Sequence, residues 1–227
     1  MTKTVLAIDA STTCTGCAIA VIEVDVLMKL STSAIIPPEF DPTLFCFLPT
    51  KRSTAVGKNR KAAWIKFAGE RLTVTEDKKR CLEVKMADER HRRGYMASRL
   101  NMLIHSVDLI LMEGNMSFRS MSVTRMLGEI AGIIQGLGAA HGKVVEKINV
   151  HTARAELDIT RASIILASKG YSEKWLRQAD LTKESIKVLM LSKYSVYGLN
   201  ENMTTDESDA LLILDTWLRQ GGIQPNG

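Results

Sequence analysis

The apolar positions of the chain form short runs near the N-terminus and helically spaced stripes towards the C-terminus. The short runs predict three strands at residues 4–9, 16–23 and about 27–36, and their brief links favour an antiparallel meander. The later spacing predicts a helix over about 82–106, a buried strand in "VDLILMEG", a helix over about 122–141 that stops at Gly142, and a strand in "KVVEKINV". Two more helices are predicted around Gly170, and the last begins in "TTDESDALL". This order predicts an α/β fold with a mixed sheet.

The segment that follows the predicted third strand, residues 37–80, opens with prolines, shows no sustained period and is predicted to be an insertion. Ten Lys or Arg and three acidic residues lie between Lys51 and Arg80, so the local positive excess is larger than the net charge of +5 of the whole chain. A solvated charged loop is one interpretation. Trp64 and Phe67 among the cations favour instead an arm that follows a nucleic-acid backbone. Under that interpretation the contacts are Lys51, Arg52, Lys58, Arg60 and Lys61.

Length and composition favour one large domain. The chain has 227 residues, of which 45% are hydrophobic, and this is enough for a substantial core. No apolar run reaches membrane-spanning length, and the N-terminus enters a strand pattern without the apolar core of a signal peptide, so a cytoplasmic protein is expected. Cys14 and Cys17 form a C-x-x-C pair, but no second pair completes a zinc site, and reduced structural thiols are expected.

Acidic residues close two of the apolar strands. Asp9 ends "VLAID", and Glu113 ends "LILME". In an open α/β sheet, ligands collect at the carboxyl ends of the strands, so the two side chains are expected to be neighbours if their strands are adjacent and parallel. A polar residue that only marks the exit from a strand is the alternative interpretation of each.

Two further acids interrupt the apolar stripe of the last helix. The stripe that begins at Ala210 extends backwards through Asp209 and Asp206, so both carboxylates lie on the side that is expected to be buried. Thr204 and Glu207 form a capping box, and an acid in the first turn favours the helix dipole, which explains Glu207 and in part Asp206. Capping does not explain Asp209 in the second turn, where an unpaired buried carboxylate is costly.

Four carboxylates that come together repel one another unless a positive charge neutralises them. Oxygen ligands without His or Cys select Mg²⁺ or Mn²⁺ over zinc. Two such ions about 4 Å apart activate a water and stabilise the leaving oxygen of a phosphoryl displacement. A basic protein with such a site is most simply a nuclease.

The stretches "VLAIDASTTCTGCAIAVI", "DLILMEGNMSF" and "DESDALLIL" resemble, in this order, the three acidic blocks of the RuvC-type Holliday-junction resolvases. The resemblance implies a single RNase H-like domain over 1–227, with a five-stranded mixed sheet flanked by helices and insertions at about 37–80 and 159–178. It also implies a homodimeric, Mg²⁺-dependent endonuclease that cuts four-way DNA junctions symmetrically, in a bacterial or bacteriophage setting.

The same resemblance implies roles for individual residues. In that family, acids at the ends of the first and fourth strands and two acids of the last helix bind two metal ions. The corresponding residues of this chain are Asp9, Glu113, Asp206 and Asp209. The segment "LTKESIKV" is similar to the lysine-bearing segment of the family. It implies that Lys183, and next to it Lys187, contacts a phosphate or the transition state, whereas a solvated helix face is the alternative.

Other positions of the resemblance concern DNA and the partner subunit. The family has an aromatic residue shortly after the glutamate, against the bases at the junction centre, whereas this chain has Met116 at the nearest spacing and Phe118 two residues further on. Ordinary packing is the alternative for both. Arg119, Arg125 and Arg154 are expected near the DNA. The glycine-rich helix in "VTRMLGEIAGIIQGLG" is expected either at the dimer surface or in the core.

Three other functions fit parts of the sequence. "IDASTTCTG" is also typical of actin-like ATPases and sugar kinases, but these need two such domains, and the chain has no P-loop. A related RNase H-like nuclease that acts on flaps, forks or structured RNA shares the same acids, because selectivity lies in the surfaces that face the nucleic acid. A non-catalytic junction-binding scaffold is the third alternative, and the presence of all four acids disfavours it.

Overall fold

The computed structural model describes residues 2–10, 15–23, 43–47, 53–56, 62–67, 70–73, 78–114, 121–149, 183–194 and 203–220, together with Arg154, Gly170 and Leu199. The strands in these ranges are β1 (Thr2–Asp9), β2 (Thr15–Glu23), β3 (Thr43–Phe47), β4 (Ser53–Val56), β5 (Ala62–Phe67), β6 (Glu70–Thr73), β7 (Leu109–Glu113) and β8 (Val144–Ile148). The helices are α1 (Lys78–Ile104), α2 (Met121–Ala140), α3 (Lys183–Lys193) and α4 (Thr205–Arg219). None of these helices has the length and apolar character that a bilayer crossing requires.

The main sheet has the strand order β3–β2–β1–β7–β8. β2 is antiparallel to both β3 and β1, whereas β7 runs parallel to β1 and β8 runs parallel to β7. The predicted α/β fold with a mixed sheet is therefore confirmed. The arrangement is also consistent with the RNase H-like fold that the resemblance implies.

The edge strand next to β2 comes later in the chain than the sequence pattern indicated. The strand predicted at about 27–36 lies outside the described residues, and β3 pairs with β2. The segment predicted to be an insertion at about 37–80 contains β3, which belongs to the main sheet, and α1 begins at Lys78, close to the predicted boundary. Between them, β4, β5 and β6 form a separate antiparallel sheet. These strands lie in a segment that opens with prolines and carries clustered charges, where the sequence pattern predicted no strands.

Two hydrophobic cores cover the two faces of the main sheet. Successive side chains of a strand point to opposite faces. Leu6 and Ile8 of β1 therefore join a core with α1 and α2, whereas Val5 and Ala7 join a core with α3 and α4. The same alternation places Leu111 of β7 on the side of α3 and α4. The parity of each strand residue thus determines which helices it meets.

Helix α4 is buried along most of its length, from residue 208 to residue 217. It lies between the main sheet and α3, and it contacts β1, β2 and α3. Near its C-terminus, Trp217 Nε1 donates a hydrogen bond to Glu146 Oε2 of β8 at 2.9 Å. The helix is therefore held against the sheet at the end distant from its cap.

A buried aspartate, Asp215, links α4 to the C-terminal end of α3 through hydrogen bonds to both of its carboxylate oxygens. Its Oδ1 accepts a hydrogen bond from Tyr194 Oη at 2.5 Å and is also paired with Lys193. Its Oδ2 accepts a hydrogen bond from Arg219 Nε at 3.0 Å, four residues further along α4. Both oxygens are thus hydrogen-bonded, as a buried carboxylate requires.

The glycines of α2 do not all pack against the sheet. The helix ends as predicted at Gly142, whose φ of +63° favours glycine. A Cβ at Gly138 would overlap a side chain of β8, so this glycine is needed for packing. A Cβ at Gly128, Gly132 or Gly136 would meet no atom of the described chain within 4 Å. Packing within the described part of the chain therefore explains one of the four glycines.

Candidate active site

The strand ends that carry Asp9 and Glu113 lie side by side on the main sheet. β1 and β7 are adjacent and parallel, with Ile8 opposite Met112, so the two acids follow at neighbouring strand ends. Asp9 has the same parity as Ala7, which packs in the core with α4. Asp9 and Glu113 were expected to be neighbours if their strands were adjacent and parallel, and β1 and β7 fulfil this condition. Both carboxylates belong to the face that α4 covers.

The first turn of α4 comes close to the sheet at Gly16. This residue is the cross-strand partner of Asp9 on β2. A Cβ at Gly16 would overlap the backbone carbonyl of Asp206 and would lie 2.9 Å from the backbone nitrogen of Glu207. The absence of a side chain therefore lets the N-terminus of α4 lie directly on β2. The role of Gly16 could not be predicted from the sequence, because a glycine in a strand by itself indicates only a weak point or a close approach of an unidentified group.

The predicted capping box at the start of α4 is confirmed. Thr204 Oγ1 accepts a hydrogen bond from the backbone nitrogen of Glu207 at 3.1 Å, and Glu207 Oε2 accepts one from the backbone nitrogen of Thr204 at 2.6 Å. The carboxylate of Asp206 is engaged elsewhere, because its Oδ1 accepts a hydrogen bond from Lys183 Nζ at 2.8 Å. The capping explanation for Asp206 is therefore incomplete.

Two cations lie among the acids. Lys183, the first residue of α3, places its Nζ 2.8 Å from Asp206 Oδ1 and 3.1 Å from Asp209 Oδ2. Arg154 places Nη2 3.8 Å from Asp209 Oδ1 and Nη1 4.0 Å from Glu113 Oε1. Asp209, with a side chain that is only 3% exposed, thus has a different cation on each oxygen. Arg154, which was expected near DNA, thus lies beside the acids, a position that the sequence pattern did not predict.

Burial changes the titration of this cluster. Burial, followed by the charge of Asp209, raises the pKa of Asp9 from 3.8 to about 7, although Lys183 opposes the rise. Burial also raises the pKa of Asp209, against the opposing effect of Lys183. Burial alone would lower the pKa of Lys183, but its hydrogen bond with Asp206 and the charge of Asp209 raise the pKa above its ordinary value. Lys183 is therefore a permanent cation of the site.

The acids of the site are of the ligand type that suits a hard divalent cation. All four acids offer oxygen, the ligand type that Mg²⁺ prefers, and Asp209 Oδ1 is buried without a hydrogen-bond partner. In the part of the chain that the structure describes, no three His, Cys, Asp or Glu residues are spaced as a metal-holding group. Lys183 and Arg154 lie against the acids and neutralise part of their charge. The ligand chemistry of a metal centre is thus present, with side-chain cations beside it.

The other residues expected at nucleic acid lie apart from the acids or outside the described residues. Lys187 lies one turn after Lys183 on α3. Arg125 is an exposed residue of α2 whose Nε lies 3.3 Å from Glu129 Oε1. Neither forms an ion pair with the four acids in the described ranges. The residues outside these ranges are Met116, Phe118, Arg119, Lys51, Arg52, Lys58, Arg60 and Lys61.

Comparisons with known proteins give distant likenesses. No protein-family model and no curated protein matches the chain. Among solved structures, the chain is similar to RuvC of Thermus thermophilus in complex with a Holliday-junction substrate, at 13% identity and a TM-score of 0.49. It is also similar to a second structure of Thermus thermophilus RuvC, at 15% identity and a TM-score of 0.48. Each comparison covers 98% of both chains. Likenesses at this level carry no functional argument, so the function must be argued from the site.

Proposed function

We propose that the chain is a metal-dependent endonuclease of the RNase H-like type that cuts branched DNA, with four-way junctions as its preferred substrate. The observation that carries the proposal is the convergence of Asp9, Glu113, Asp206 and Asp209 from β1, β7 and α4. The carboxylates of the other three contribute to the raised pKa of Asp9. Asp9, Glu113 and Asp206 are each more than ninety residues from the next along the chain, yet all three lie in one cluster with Asp209.

In this proposal, the four carboxylates hold two Mg²⁺, for which Mn²⁺ substitutes. When bound, these ions supply an activated water and neutralise charge on the phosphate that is cut. Asp9 loses the proton that its raised pKa retains in the metal-free protein, and its carboxylate becomes a ligand. Lys183 is 55% exposed at its side chain, so it can turn towards a DNA phosphate while Asp206 and Asp209 hold it at the site.

The same proposal includes a homodimer that pairs two active sites on a two-fold symmetric junction. Gly128, Gly132 and Gly136 recur every four residues on α2, and no described atom covers them. Glycine in a helix interior costs about 0.5–1 kcal/mol relative to alanine. A close helix contact from a second copy of the chain explains why three glycines occur there.

Cleavage assays with purified protein test the proposed activity. We expect a four-way junction to be cut in Mg²⁺ more efficiently than a flap, a fork or an RNA:DNA hybrid. Asp9→Asn and Asp209→Asn should lower the rate at least about 100-fold, because each removes a metal ligand. Glu89→Gln removes an exposed acid of α1 and serves as the matched control. Its rate should stay at the wild-type level.

Two outcomes separate the parts of this proposal. Equal cutting of all four substrates contradicts the preference for four-way junctions and leaves the nuclease activity standing. Full activity of Asp9→Asn in Mg²⁺ contradicts the assignment of the site itself.

A further inference from the structure

The contact of Arg154 with the acids is electrostatic and carries no hydrogen bond. Its two terminal nitrogens lie 3.8 Å from Asp209 Oδ1 and 4.0 Å from Glu113 Oε1, beyond the usual range of 2.7–3.2 Å for such a bond. An arginine that is fitted to a carboxylate normally makes two short parallel bonds. Arg154 therefore lies near both acids without forming a hydrogen bond to either.

Unsatisfied polar atoms accompany this loose contact. Arg154 Nε and Asp209 Oδ1 are both buried, and within the described ranges of the chain neither has a hydrogen-bond partner. A buried polar group without a partner costs free energy, and a charged one costs more. The metal-free arrangement around Asp209 is thus a compromise that a better ligand for its Oδ1 would relieve.

A second buried aspartate on the same helix provides an internal comparison. Asp215 is as buried as Asp209, since each side chain is 3% exposed. Tyr194 and Arg219 donate hydrogen bonds to the two oxygens of Asp215, and Lys193 is also paired with it. The fold can therefore satisfy a buried aspartate on α4 completely. At Asp209, by contrast, Oδ1 has only the guanidinium of Arg154 beside it, at 3.8 Å and without a hydrogen bond, among the described residues.

We propose that Arg154 is an internal counter-ion of the metal site. In the metal-free chain it neutralises Glu113 and Asp209, and it releases both carboxylates when a divalent cation binds. The inference rests on the proposed function and extends it, because it gives Arg154 a role in setting the affinity for the cation. Arg154 acts through the two carboxylates and is a positioning residue of the site.

The charges of the site favour this role over a merely structural one. Among the described residues, Lys183 and Arg154 are the cations paired with the acids of the site, and carboxylates held together in a partly buried site repel one another when they are charged. Arg154 lowers this repulsion before loading. The same positive charge opposes a divalent cation that approaches the same oxygens. Removal of the charge should therefore strengthen cation binding and weaken the metal-free fold.

Titration calorimetry with Mn²⁺ in the absence of DNA tests the inference. We expect Arg154→Gln to bind Mn²⁺ about tenfold more tightly than the wild type, because a unit charge a few ångströms from the ligand oxygens has been removed. Arg154→Lys keeps the charge and should stay within about threefold of the wild type. Arg99→Gln removes an exposed arginine of α1, which packs on the opposite face of the sheet, and is the matched control.

Thermal unfolding with and without Mn²⁺ provides the second measurement. Without the cation, Arg154→Gln should melt at a lower temperature than the wild type. Addition of Mn²⁺ should raise the melting temperature of Arg154→Gln by more than that of the wild type. A variant that is unfolded alone but folds on addition of Mn²⁺ supports the inference. One that stays unfolded under both conditions contradicts it, since Arg154 then has a structural role that the cation does not replace.

The controls distinguish the failure of this inference from the failure of the proposed function. If Asp209→Asn abolishes the binding of Mn²⁺ and Arg154→Gln leaves the wild-type affinity unchanged or weaker, the counter-ion role is wrong and the metal site stands. If the wild type shows no binding of Mn²⁺ that depends on Asp209, the proposed metal site and the inference both fall.

Discussion

At the scale of single residues, Asp9 shows how a functional arrangement opposes stability. Burial and the nearby carboxylates raise its pKa to about 7, so it keeps its proton in the folded chain at pH values where the unfolded chain has lost it. A folded state that holds an extra proton loses stability as the pH rises. Under the proposed function, a cation bound to the carboxylate of Asp9 offsets this loss of stability.

This leads to a prediction about pH in the presence of a chelator. The free energy of unfolding should fall between about pH 4 and pH 7 through Asp9 and level off above pH 7. Asp9→Asn should remove this part of the pH dependence and raise stability at pH 8 by on the order of 2–4 kcal/mol, since each pKa unit corresponds to about 1.4 kcal/mol. Denaturant unfolding at pH 5 and pH 8 measures the difference. Equal pH profiles of the two proteins would show that Asp9 is not protonated in the fold.

Tyr194, which donates a hydrogen bond to Asp215, belongs to the stabilising contacts of α4 and lies apart from the proposed chemistry. Tyr194→Phe keeps the ring and removes the hydroxyl, so Asp215 loses one of its donors. We expect a loss of about 1–2 kcal/mol in the free energy of unfolding, with the affinity for Mn²⁺ and the cleavage rate unchanged. Urea unfolding, measured together with junction cleavage, checks both parts. A loss of cleavage in a folded variant would link Asp215 to the active site.

At the scale of elements, the contact between β2 and the N-terminus of α4 determines where two of the four acids lie. Gly16 pairs with Asp9 across the hairpin and at the same time faces the backbone of Asp206 and Glu207. One glycine therefore brings the strand that carries the first acid and the helix that carries the last two to a single place. The capping box at Thr204 fixes the start of the same helix.

Gly16→Ala tests this geometry. The added Cβ would overlap the backbone of Asp206, so the helix must move outward from the sheet. Because small misplacements of catalytic groups reduce rates strongly, we expect cleavage to fall about 100-fold, with a lower melting temperature. Gly94→Ala is the matched control, since a Cβ there meets nothing within 4 Å and should stabilise α1 by about 0.5–1 kcal/mol. Normal cleavage by Gly16→Ala would show that the close contact is not required.

At the scale of the whole molecule, the sequence predicts features that depend on local pattern and misses those that depend on tertiary approach. The apolar runs that end in Asp9 and Glu113, the capping box at Thr204 and the stop of α2 at Gly142 follow from neighbouring residues, and the structure confirms these local features. β3 was missed because its short apolar run lies in the segment that opens with prolines, for which no strand was predicted. The places of Gly16 and Arg154 depend on elements distant in sequence, which no local pattern encodes.

The proposed homodimer concerns the whole molecule, and the open glycines of α2 make it testable. Gly132→Leu adds a side chain where the described chain leaves space. If this face is exposed in solution, the replacement should stabilise the helix by about 1 kcal/mol, because leucine has the higher helix propensity. If a second copy packs closely there, leucine should separate the subunits and lower the melting temperature. The proposed dimer thus predicts that Gly132→Leu destabilises the protein, whereas the helix propensity alone predicts that it stabilises the protein.

Sedimentation at several concentrations measures the oligomeric state of Gly132→Leu, and thermal unfolding measures the change in its melting temperature. We expect the wild type to be dimeric at micromolar concentration and Gly132→Leu to be monomeric. The monomer should still cut a four-way junction, but it should cut only one of the two symmetric strands in each binding event. The reason is that a second active site is no longer held on the opposite strand. Gly94→Leu, at an open position of α1, should leave both the dimer and the paired cuts intact. A wild type that is monomeric at all concentrations, or a stabilised dimeric Gly132→Leu, would exclude α2 as the dimer surface.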